Sequence, residues 1–176
     1  MNNYVLNKSP AGSSSYKRVL HNDSRGIFTK IFSLDFLNQA DVCNNIVEVN
    51  HSFTNKKGTI RGLHYQNPPD QEDKFIACVS GSIYQVAVNL NSDSDKYLSY
   101  DSYTISSNDG IVLYVPKGMA HGFQTLEDNV SMIYLHTSAY SITSDAGLNP
   151  FDPKIGIQWP MDLSIISEKD RNLELL

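Results

Sequence analysis

Four segments of the chain carry residue types that can do chemistry. They are RGLHYQ at residues 61–66, Lys74, VPKGMAHGF at residues 115–123, and SEKD at residues 167–170. A histidine such as His64 can move a proton near neutral pH, and a nearby carboxylate can orient its ring. Taken singly, each residue is more often structural, because a strand histidine is usually a hydrogen-bonding partner and an aspartate such as Asp170 is usually solvated. The segments predict a site only as a set.

The elements that would carry these residues are short strands separated by Gly, Asn, Asp and Ser. A short helical pattern occurs only at Leu34–Ala40. We predict strands at Asn45–Asn50, Thr59–Tyr65, Lys74–Val79, Ser82–Leu90, Tyr97–Ile105, Ile111–Val115, Gly122–Leu126 and Ser131–Thr137. About eight strands in one chain predict an all-β jelly roll or sandwich.

The predicted strand IYQVAVNL, residues 83–90, shows how a cavity could form. Its even-numbered positions are all apolar or aromatic, as on a core face. Its odd-numbered positions include the amides Gln85 and Asn89. This second face fits either the lining of a wet cavity or a surface that faces solvent.

Length and composition favour a single globular domain over residues 1–176, with residues 1–15 as a loose polar arm. Apolar residues make up 40% of the chain, and the formal net charge is −5. Because no cluster of Lys and Arg offsets that charge, we expect no nucleic-acid partner. A local basic pocket for a phosphate is still compatible with it.

The cysteines and the hydropathy pattern bear on location. Cys43 and Cys78 form no CxxC pair, so we predict two reduced thiols. The sequence does not open on an apolar leader, and it has no stretch near the roughly 20 apolar residues of a membrane span. We therefore expect a cytoplasmic protein without a membrane partner.

Together, these segments resemble those of the dTDP-4-dehydrorhamnose 3,5-epimerase family. The matching strings, in order, are NDSRGIF (22–28), GTIRGLHYQNPP (58–69), Lys74, GSIYQVAVNL (81–90), VPKGMAHGF (115–123), GIQWP (156–160) and SEKD (167–170). The resemblance implies a cupin-type jelly-roll barrel with short peripheral helices. It also implies a homodimer in which each subunit lends residues to the other's site, and a nucleotide-diphosphate sugar as substrate without a cofactor.

The reaction implied by the resemblance explains the residue types. A ketone at C4 of the sugar acidifies the hydrogens on C3 and C5. A base removes one of them, an enolate forms, and an acid returns a proton to the opposite face of the ring. A cation or hydrogen-bond donor must also meet the charge that grows on the ketone oxygen.

Four residues match the proton-transfer machinery of the family. His64 matches the base, and Asp170 matches its partner, since a carboxylate on the far ring nitrogen fixes the tautomer. Tyr134, in MIYLHT, matches the tyrosine that supplies the opposite-face proton. Lys74 matches the lysine placed near the enolate oxygen.

The remaining candidates would hold the substrate. Arg25 and Arg61 match the arginines that bind the diphosphate, a role that suits a bidentate guanidinium. His121 matches the second pocket histidine. The other expected contacts are Phe28, Glu48, Asn50, Gln66 and Tyr140.

A catalytic metal is the main alternative for a cupin. Metal-binding cupins usually carry H-x-H with a following Glu. Here the motif reads H-Y-Q, which leaves His64 alone where a metal site needs several ligands. We therefore expect no metal.

The chain departs from the family pattern at Lys30, Glu48, Gln85, Asn89, Asn91 and Ala139. Gln85 and Asn89 stand where acids are usual. Lys30 and Glu48 replace an acid and an amide with a base and an acid, so these two could pair with each other. The four proton-transfer residues are unchanged, and the sequence therefore predicts the class of activity more firmly than the substrate.

Three functions remain open. The first is a 3,5-epimerase acting on a dTDP-linked 4-keto-6-deoxyhexose. The second is a mono-epimerase or a ketoisomerase on a different nucleotide sugar, which would need the same base. The third is a non-catalytic sugar-binding cupin, against which the complete set of proton-transfer residues argues.

Overall fold

The structure is a computed structural model that describes residues 5–39, 42 and 45–176. These residues form strands β1 (Val5–Lys8), β2 (Ser14–Lys17), β3 (Leu20–Asp23), β4 (Gly26–Thr29), β5 (Glu48–Thr54), β6 (Ile60–Gln66), β7 (Lys74–Ser80), β8 (Ser82–Asn89), β9 (Tyr100–Ser106), β10 (Ile111–Val115), β11 (Met119–Thr125), β12 (Val130–His136) and β13 (Asp145–Gly147), with helices α1 (Leu34–Gln39) and α2 (Glu168–Arg171).

Two antiparallel sheets pack face to face. One has the strand order β1-β2-β10-β7-β12-β5, and the other has the order β13-β6-β11-β8-β9. The core between them takes apolar side chains from both sheets, including Ile76, Leu113 and Met132 from the first and Ile83 and Phe123 from the second. This arrangement confirms the predicted all-β jelly roll.

Each sheet also buries its outer face. Helix α1 packs Leu37 with Phe75 and Leu135 on the outside of the six-stranded sheet. Leu148 and Ile155 cover Val86 and its neighbours on the outside of the five-stranded sheet. Burial on both faces explains why the central strands β7 and β8 carry nearly continuous apolar runs.

Strands β6 and β11 approach closely where the glycines of RGLHYQ and AHGF meet. A Cβ added at Gly62 would lie 2.6 Å from the Cα of Gly122, and one added at Gly122 would lie 2.7 Å from a backbone oxygen of β6. Gly62 also has a φ of 115°, which side-chain-bearing residues rarely adopt. The register shifts between His121 and Phe123 at this point and leaves His121 opposite His64.

The N-terminal segment differs from its prediction. The sequence predicts a loose arm over residues 1–15, but β1 pairs with β2, and β2 pairs with β10. Ser13 is fully buried, and so is Tyr16 on β2. The arm prediction is therefore wrong for residues 5–8 and 14–15, because sheet pairing orders a segment that has no apolar pattern. Residues 1–4 lie outside the described residues.

The other predicted elements occur with shifted ends. Strand β5 begins at Glu48 rather than Asn45, and β11 begins at Met119 rather than Gly122. Helix α1 ends at Gln39, and Ala40 lies outside the described residues. The hairpin β3–β4, strand β13 and helix α2 have no counterpart among the sequence predictions.

Both faces of β8 are buried. Val86 and Val88 lie in the outer core, and Ile83 lies in the core between the sheets. Gln85 is fully buried, with its side chain beside His121. The alternative that this face meets solvent is therefore wrong, and the face does not line the main cavity either, because Ile83 and Ala87 are packed into the core and Gln85 is buried beside them.

The remaining sequence expectations concern thiols and membranes. Cys78 is a free, buried thiol, as predicted, and burial raises its pKa to about 11. Cys43 lies outside the described residues. Neither helix in the described part of the chain has the length and apolar character needed to cross a membrane.

The contact between β6 and β11 predicts a costly substitution. Gly122→Ala should lower the free energy of unfolding by about 2–3 kcal/mol, because its Cβ would be forced against backbone atoms that cannot move aside. Gly118→Ala is the comparison, since its φ of 85° is strained but its surroundings are open. That change should cost about 1 kcal/mol. Equal losses for the two variants in urea denaturation would contradict the close-approach explanation.

Candidate active site

A cavity of about 670 Å³ lies between the two sheets, within the usual size range of small-molecule sites. Strands β6 and β11 contribute to one wall, and β5, β7 and β12 contribute to the other. The sequence-predicted site residues that line it are Glu48, Asn50, Arg61, His64, Gln66, Lys74, His121, Tyr134, Tyr140 and Asp170. The fold therefore brings together most of the predicted set.

His64 and Asp170 form a hydrogen-bonded pair. The Nε2 atom of His64 lies 2.7 Å from Oδ1 of Asp170, while Oδ2 accepts the backbone N–H of Gly62 at 3.1 Å. The Asp170 N–H bonds to the Ser167 hydroxyl, which caps α2. Because an ionised carboxylate only accepts hydrogen bonds, it holds the proton of His64 on Nε2 and leaves Nδ1 as the basic nitrogen.

The charge on Asp170 is stabilised by these contacts. Its side chain is 4% exposed, whereas that of His64 is 36% exposed. Burial raises the pKa of Asp170, but the hydrogen bond and charge of His64 and the N–H of Gly62 outweigh burial and hold that pKa below its usual range. The carboxylate is therefore ionised at neutral pH and stabilises the imidazolium that would form on proton uptake.

Tyr134 places a protonated phenol in the cavity. Burial raises its pKa to about 12, although the Ser52 hydroxyl, 3.2 Å from the phenol oxygen, and the charge of Arg61 act in the opposite direction. The phenol therefore keeps its proton at neutral pH. This makes Tyr134 a proton donor rather than a base in its resting state.

The two groups stand on different walls. His64 lies on β6 of the five-stranded sheet, and Tyr134 lies on β12 of the six-stranded sheet. The Tyr134 ring lies 6.2 Å, centroid to centroid, from the ring of His121, which pairs with His64 across β6 and β11. A ring bound between the sheets would thus meet a base on one side and an acid on the other.

Lys74 belongs to a buried charged cluster. Its Nζ lies 2.9 Å from Oε1 of Glu72, and Nδ1 of His136 lies 2.6 Å from Oε2 of the same carboxylate. Burial raises the pKa of Glu72, but the hydrogen bonds from His136 and Lys74 outweigh it, and the pKa is lowered. The described part of the chain contains no group of three or more His, Cys, Asp or Glu side chains that could hold a metal ion.

His121 is the most buried histidine of the cavity, with 8% of its surface exposed. Its Nδ1 lies 3.3 Å from the amide nitrogen of Gln85. Burial, together with the charges of Lys74, His64 and His136, lowers the pKa of His121 well below the usual range. The ring is therefore neutral at neutral pH.

Two further cations lie at the cavity. The Arg61 Nε donates to the Thr54 hydroxyl at 3.0 Å, and Nη2 donates to the Phe53 carbonyl at 3.3 Å. Lys169 pairs with Asp145. Both cations are oriented by contacts to the protein, as an anion-binding wall requires.

The side chains of two predicted substrate contacts, Gln66 and Glu48, are engaged with protein groups. The Gln66 amide donates to two backbone carbonyls and accepts the N–H of Ser141. Glu48 accepts the backbone N–H of Tyr140 at 3.2 Å. Among the described residues no ion pair joins Lys30 to Glu48, so the pairing that these two substitutions would allow is not seen within the chain.

Arg25 and Phe28 do not line the cavity of this chain. Both lie on the hairpin β3–β4. The Arg25 side chain is 88% exposed and pairs with Asp23 at 2.6 Å, and Phe28 is 76% exposed. The structure therefore separates these two predicted contacts from the rest of the set.

Sequence reasoning missed Glu72, His136 and Lys169 as cavity residues. His136 lies two positions after Tyr134 on β12, so the alternation of a strand would have placed both on one face. Lys169 lies beside Asp170 in SEKD. Glu72 precedes β7 in a loop, where no periodicity signals its direction.

Three comparisons with known proteins indicate the same family. A sequence model of the dTDP-4-dehydrorhamnose 3,5-epimerase family matches residues 11–176. A dTDP-4-dehydrorhamnose 3,5-epimerase of Sinorhizobium fredii is 40% identical over 151 residues, covering 84% of this chain and 76% of that protein. The crystal structure of the dTDP-4-dehydrorhamnose 3,5-epimerase of Bacillus anthracis with TDP and PPi bound has a TM-score of 0.93 and 34% identity, covering 98% of this chain and 99% of that chain.

A further solved structure is similar and carries a sugar nucleotide. It is the dTDP-6-deoxy-D-glucose-3,5-epimerase of Legionella pneumophila in complex with dTDP-4-keto-L-rhamnose. Its TM-score is 0.91 at 25% identity, covering 99% of this chain and 93% of that chain.

These relatives are epimerases, and they place the protein among the isomerases. The chain belongs to the dTDP-4-dehydrorhamnose 3,5-epimerase family.

The pKa of Asp170 predicts how stability depends on pH. Since the folded-state pKa is lowered, the ionised carboxylate stabilises the fold above its unfolded-state value of about 3.9, and this contribution is lost as pH falls through the folded-state pKa. Asp170→Asn should therefore be less stable than the parent protein at pH 7, with the difference shrinking below about pH 4. Urea denaturation across pH 3–7 measures this, with the exposed Asp162→Asn as control. Parallel curves for Asp170→Asn and the parent protein would contradict the expected linkage.

Proposed function

We propose that the protein epimerises a dTDP-linked 4-keto-6-deoxyhexose at C3 and C5, with His64 as base and Tyr134 as acid. The observation that carries this proposal is the position of the two groups. His64, backed by the buried Asp170, and Tyr134, a partly buried phenol, stand on opposite walls of one cavity. Inversion of a carbon requires proton removal on one face and proton return on the other.

The proposed inversion consists of two proton transfers, one to His64 and one from Tyr134. Nδ1 of His64 takes the hydrogen on the carbon beside the ketone, and the electron pair of that C–H bond moves to the ketone oxygen as an enolate. Asp170 stabilises the resulting imidazolium. The Tyr134 hydroxyl then gives its proton to the opposite face of the carbon, and the carbonyl re-forms. Exchange with solvent restores the phenol and the neutral imidazole.

The growing charge on the enolate oxygen needs a positive partner. Lys74 lines the cavity and is only 9% exposed, so its charge acts where water is largely excluded. Glu72 and His136 orient it. We assign the stabilisation of the enolate to Lys74.

The nucleotide end of the substrate would bind to arginine. Arg61 lines the cavity and is held by two hydrogen bonds. The similar proteins of known structure hold TDP and PPi, or dTDP-4-keto-L-rhamnose. We therefore assign the diphosphate to Arg61, with Asn50 as a neighbouring hydrogen-bonding group on β5.

We also propose a homodimer in which the hairpin β3–β4 enters the cavity of the partner subunit. Arg25 and Phe28 have no place in their own cavity, and the hairpin exposes Phe28 widely. Strand β5 is the edge of the six-stranded sheet and exposes Val49 and Phe53 at 62% and 50%. An open apolar edge favours pairing with another chain, and a symmetric pair would bury both edges.

Deuterium exchange tests the reaction. The protein would be incubated with dTDP-4-keto-6-deoxyglucose in D₂O, and NMR would follow deuterium at C3 and C5. Uptake at both carbons is the expected result. Uptake at one carbon would favour a mono-epimerase or a ketoisomerase, and binding without any uptake would favour a non-catalytic sugar-binding protein.

Two variants test the role of the base and the role of the acid separately in the same assay. His64→Ala should abolish deuterium uptake while nucleotide binding persists, since Arg61 is unchanged. Tyr134→Phe should still exchange the hydrogen but form little epimer, because only the opposite-face proton is missing. Tyr103→Phe is the matched control, as its phenol is also partly buried but bonds to Ser9 and Ser13. Normal epimer formation by Tyr134→Phe would remove Tyr134 from the role of acid.

Mixed dimers test the shared site. Arg25→Ala and His64→Ala chains, each inactive alone, would be coexpressed with different tags. If Arg25 acts in the partner's cavity, the mixed dimer contains one complete site, and random assortment should restore about a quarter of the parent activity. Mixed dimers that form but stay inactive would show that Arg25 does not act across the interface.

A further inference from the structure

We infer that Gln85 is a positioning residue that holds His121 as a neutral imidazole with its proton on Nε2. His121 then offers the cavity a hydrogen-bond donor and not a second base. The tautomer is independent of the reaction, whereas its consequence for turnover rests on the proposed function.

The contact lies between the adjacent strands β8 and β11. Their register pairs Gln85 with Phe123 and Ala87 with His121. The Gln85 side chain is fully buried, and its amide nitrogen lies 3.1 Å from the carbonyl oxygen of Val86 and 3.3 Å from Nδ1 of His121. One amide group thus faces both a backbone oxygen and a ring nitrogen.

The backbone oxygen decides which end of the amide faces the ring. A carbonyl oxygen can only accept, so the atom beside Val86 must be the amide nitrogen. The reverse orientation would bring two oxygens to 3.1 Å and leave a buried NH₂ group without an acceptor, because the site now taken by Oε1 offers no partner among the described residues. Leaving one acceptor unpaired is the smaller loss.

The amide orientation then fixes the proton on the ring. An NH₂ group only donates, so Nδ1 of His121 must accept and cannot carry a proton. A neutral imidazole with a bare Nδ1 carries its proton on Nε2. No described residue bonds to that Nε2, and the ring lines the cavity, so the N–H is available to a bound ligand.

Protonation to imidazolium is opposed from every side of the ring. It would set an Nδ1–H against the N–H of Gln85 on β8. Lys74 on β7, His64 on β6 and His136 on β12 add positive charge or the capacity for it, and Tyr134 on β12 contributes a neutral phenol. The carboxylates nearest these groups, Asp170 and Glu72, are bound to His64 and to the Lys74–His136 cluster.

Two neighbouring histidines therefore have opposite roles. His64 has a carboxylate partner and can gain a proton, and His121 has an amide partner and cannot. Under the proposed function, a single base serves the wall formed by β6 and β11. The Nε2–H of His121 would donate to an oxygen of the sugar, and it would add no ionisation to the pH profile near neutrality.

Nitrogen NMR tests the tautomer without any substrate. In the ¹⁵N-labelled protein, long-range proton–nitrogen spectra distinguish a protonated ring nitrogen from a bare one. His121→Gln identifies the signals. We expect His121 to show a bare Nδ1 and a protonated Nε2 from pH 5 to pH 8, without titrating. A proton on Nδ1, or titration within that range, would overturn the inference.

Gln85→Glu tests the cause. A carboxylate at this position would accept from Nδ1, so the His121 proton should move to Nδ1 and the ring should begin to titrate within pH 5–8. The pH profile of deuterium uptake should gain one ionisation. Asn89→Asp is the matched control, because it makes the same change on the same face of β8 but beside Ala11 rather than His121.

The Asn89→Asp control and the nitrogen NMR spectrum of His121 distinguish the possible outcomes. An Nδ1 that stays bare in Gln85→Glu, or the same change in Asn89→Asp, would contradict the role of Gln85. If Gln85→Glu does not fold, Gln85→Met replaces it, and a fixed Nε2–H tautomer in that variant would contradict the role equally. Absence of deuterium uptake in the parent protein would count against the proposed function and leave the tautomer result standing.

Discussion

The buried carboxylate of Asp170 is the constraint on which the site depends. A charge that is removed from water must be met by donors, and this one is met by the ring of His64 and the N–H of Gly62. Both donors lie on β6, so helix α2 must pack against that strand. The Ser167 cap fixes the direction in which the carboxylate points. The ring of His64 thus obtains its orientation from the contacts that hold α2 against β6.

The close approach of β6 and β11 extends this constraint to the second histidine. Gly62 and Gly122 meet backbone to backbone, and the register shift that follows sets His121 beside His64. What each histidine can then do depends on its partner. The carboxylate behind His64 can stabilise an imidazolium once one forms, whereas the NH₂ group of Gln85 opposes one on His121. His136, bound to a carboxylate that also holds Lys74, belongs to the opposite wall.

The sequence predicts the fold well where strands are buried on both faces. Strands β7, β8 and β10 are largely apolar segments between turn residues, and they lie close to their predicted ends, as does β6. Strands β1 (VLNK) and β2 (SSYK) were not predicted, because neither sequence alternates apolar and polar residues. They form because β1 pairs with β2 and β2 pairs with β10. Local patterns do not record such tertiary pairing.

The motifs predict most residues of the site. They do not predict residues whose role depends only on contacts made in the folded chain. His64, Lys74, Tyr134 and Asp170 meet in one cavity as expected. Glu72 was missed because its role comes from two partners, one of them 64 residues away in the chain. Arg25 was placed with the substrate, but in a single chain it pairs with its neighbour Asp23. The proposed dimer would account for this separation, because a sequence motif does not record which subunit supplies a contact.

Two departures from the family pattern, Asn89 and Glu48, are accommodated by hydrogen bonds to the backbone. Asn89 donates to the Ala11 carbonyl and accepts the N–H of Asn91, and Glu48 accepts the N–H of Tyr140. The buried charges of the cavity are of another kind. Asp170 and Glu72 each carry a desolvation cost that an apolar side chain of similar size would avoid. A protein that only bound a sugar would need neither carboxylate, whereas a protein that moves protons needs a charge behind its base and a fixed cation near its enolate.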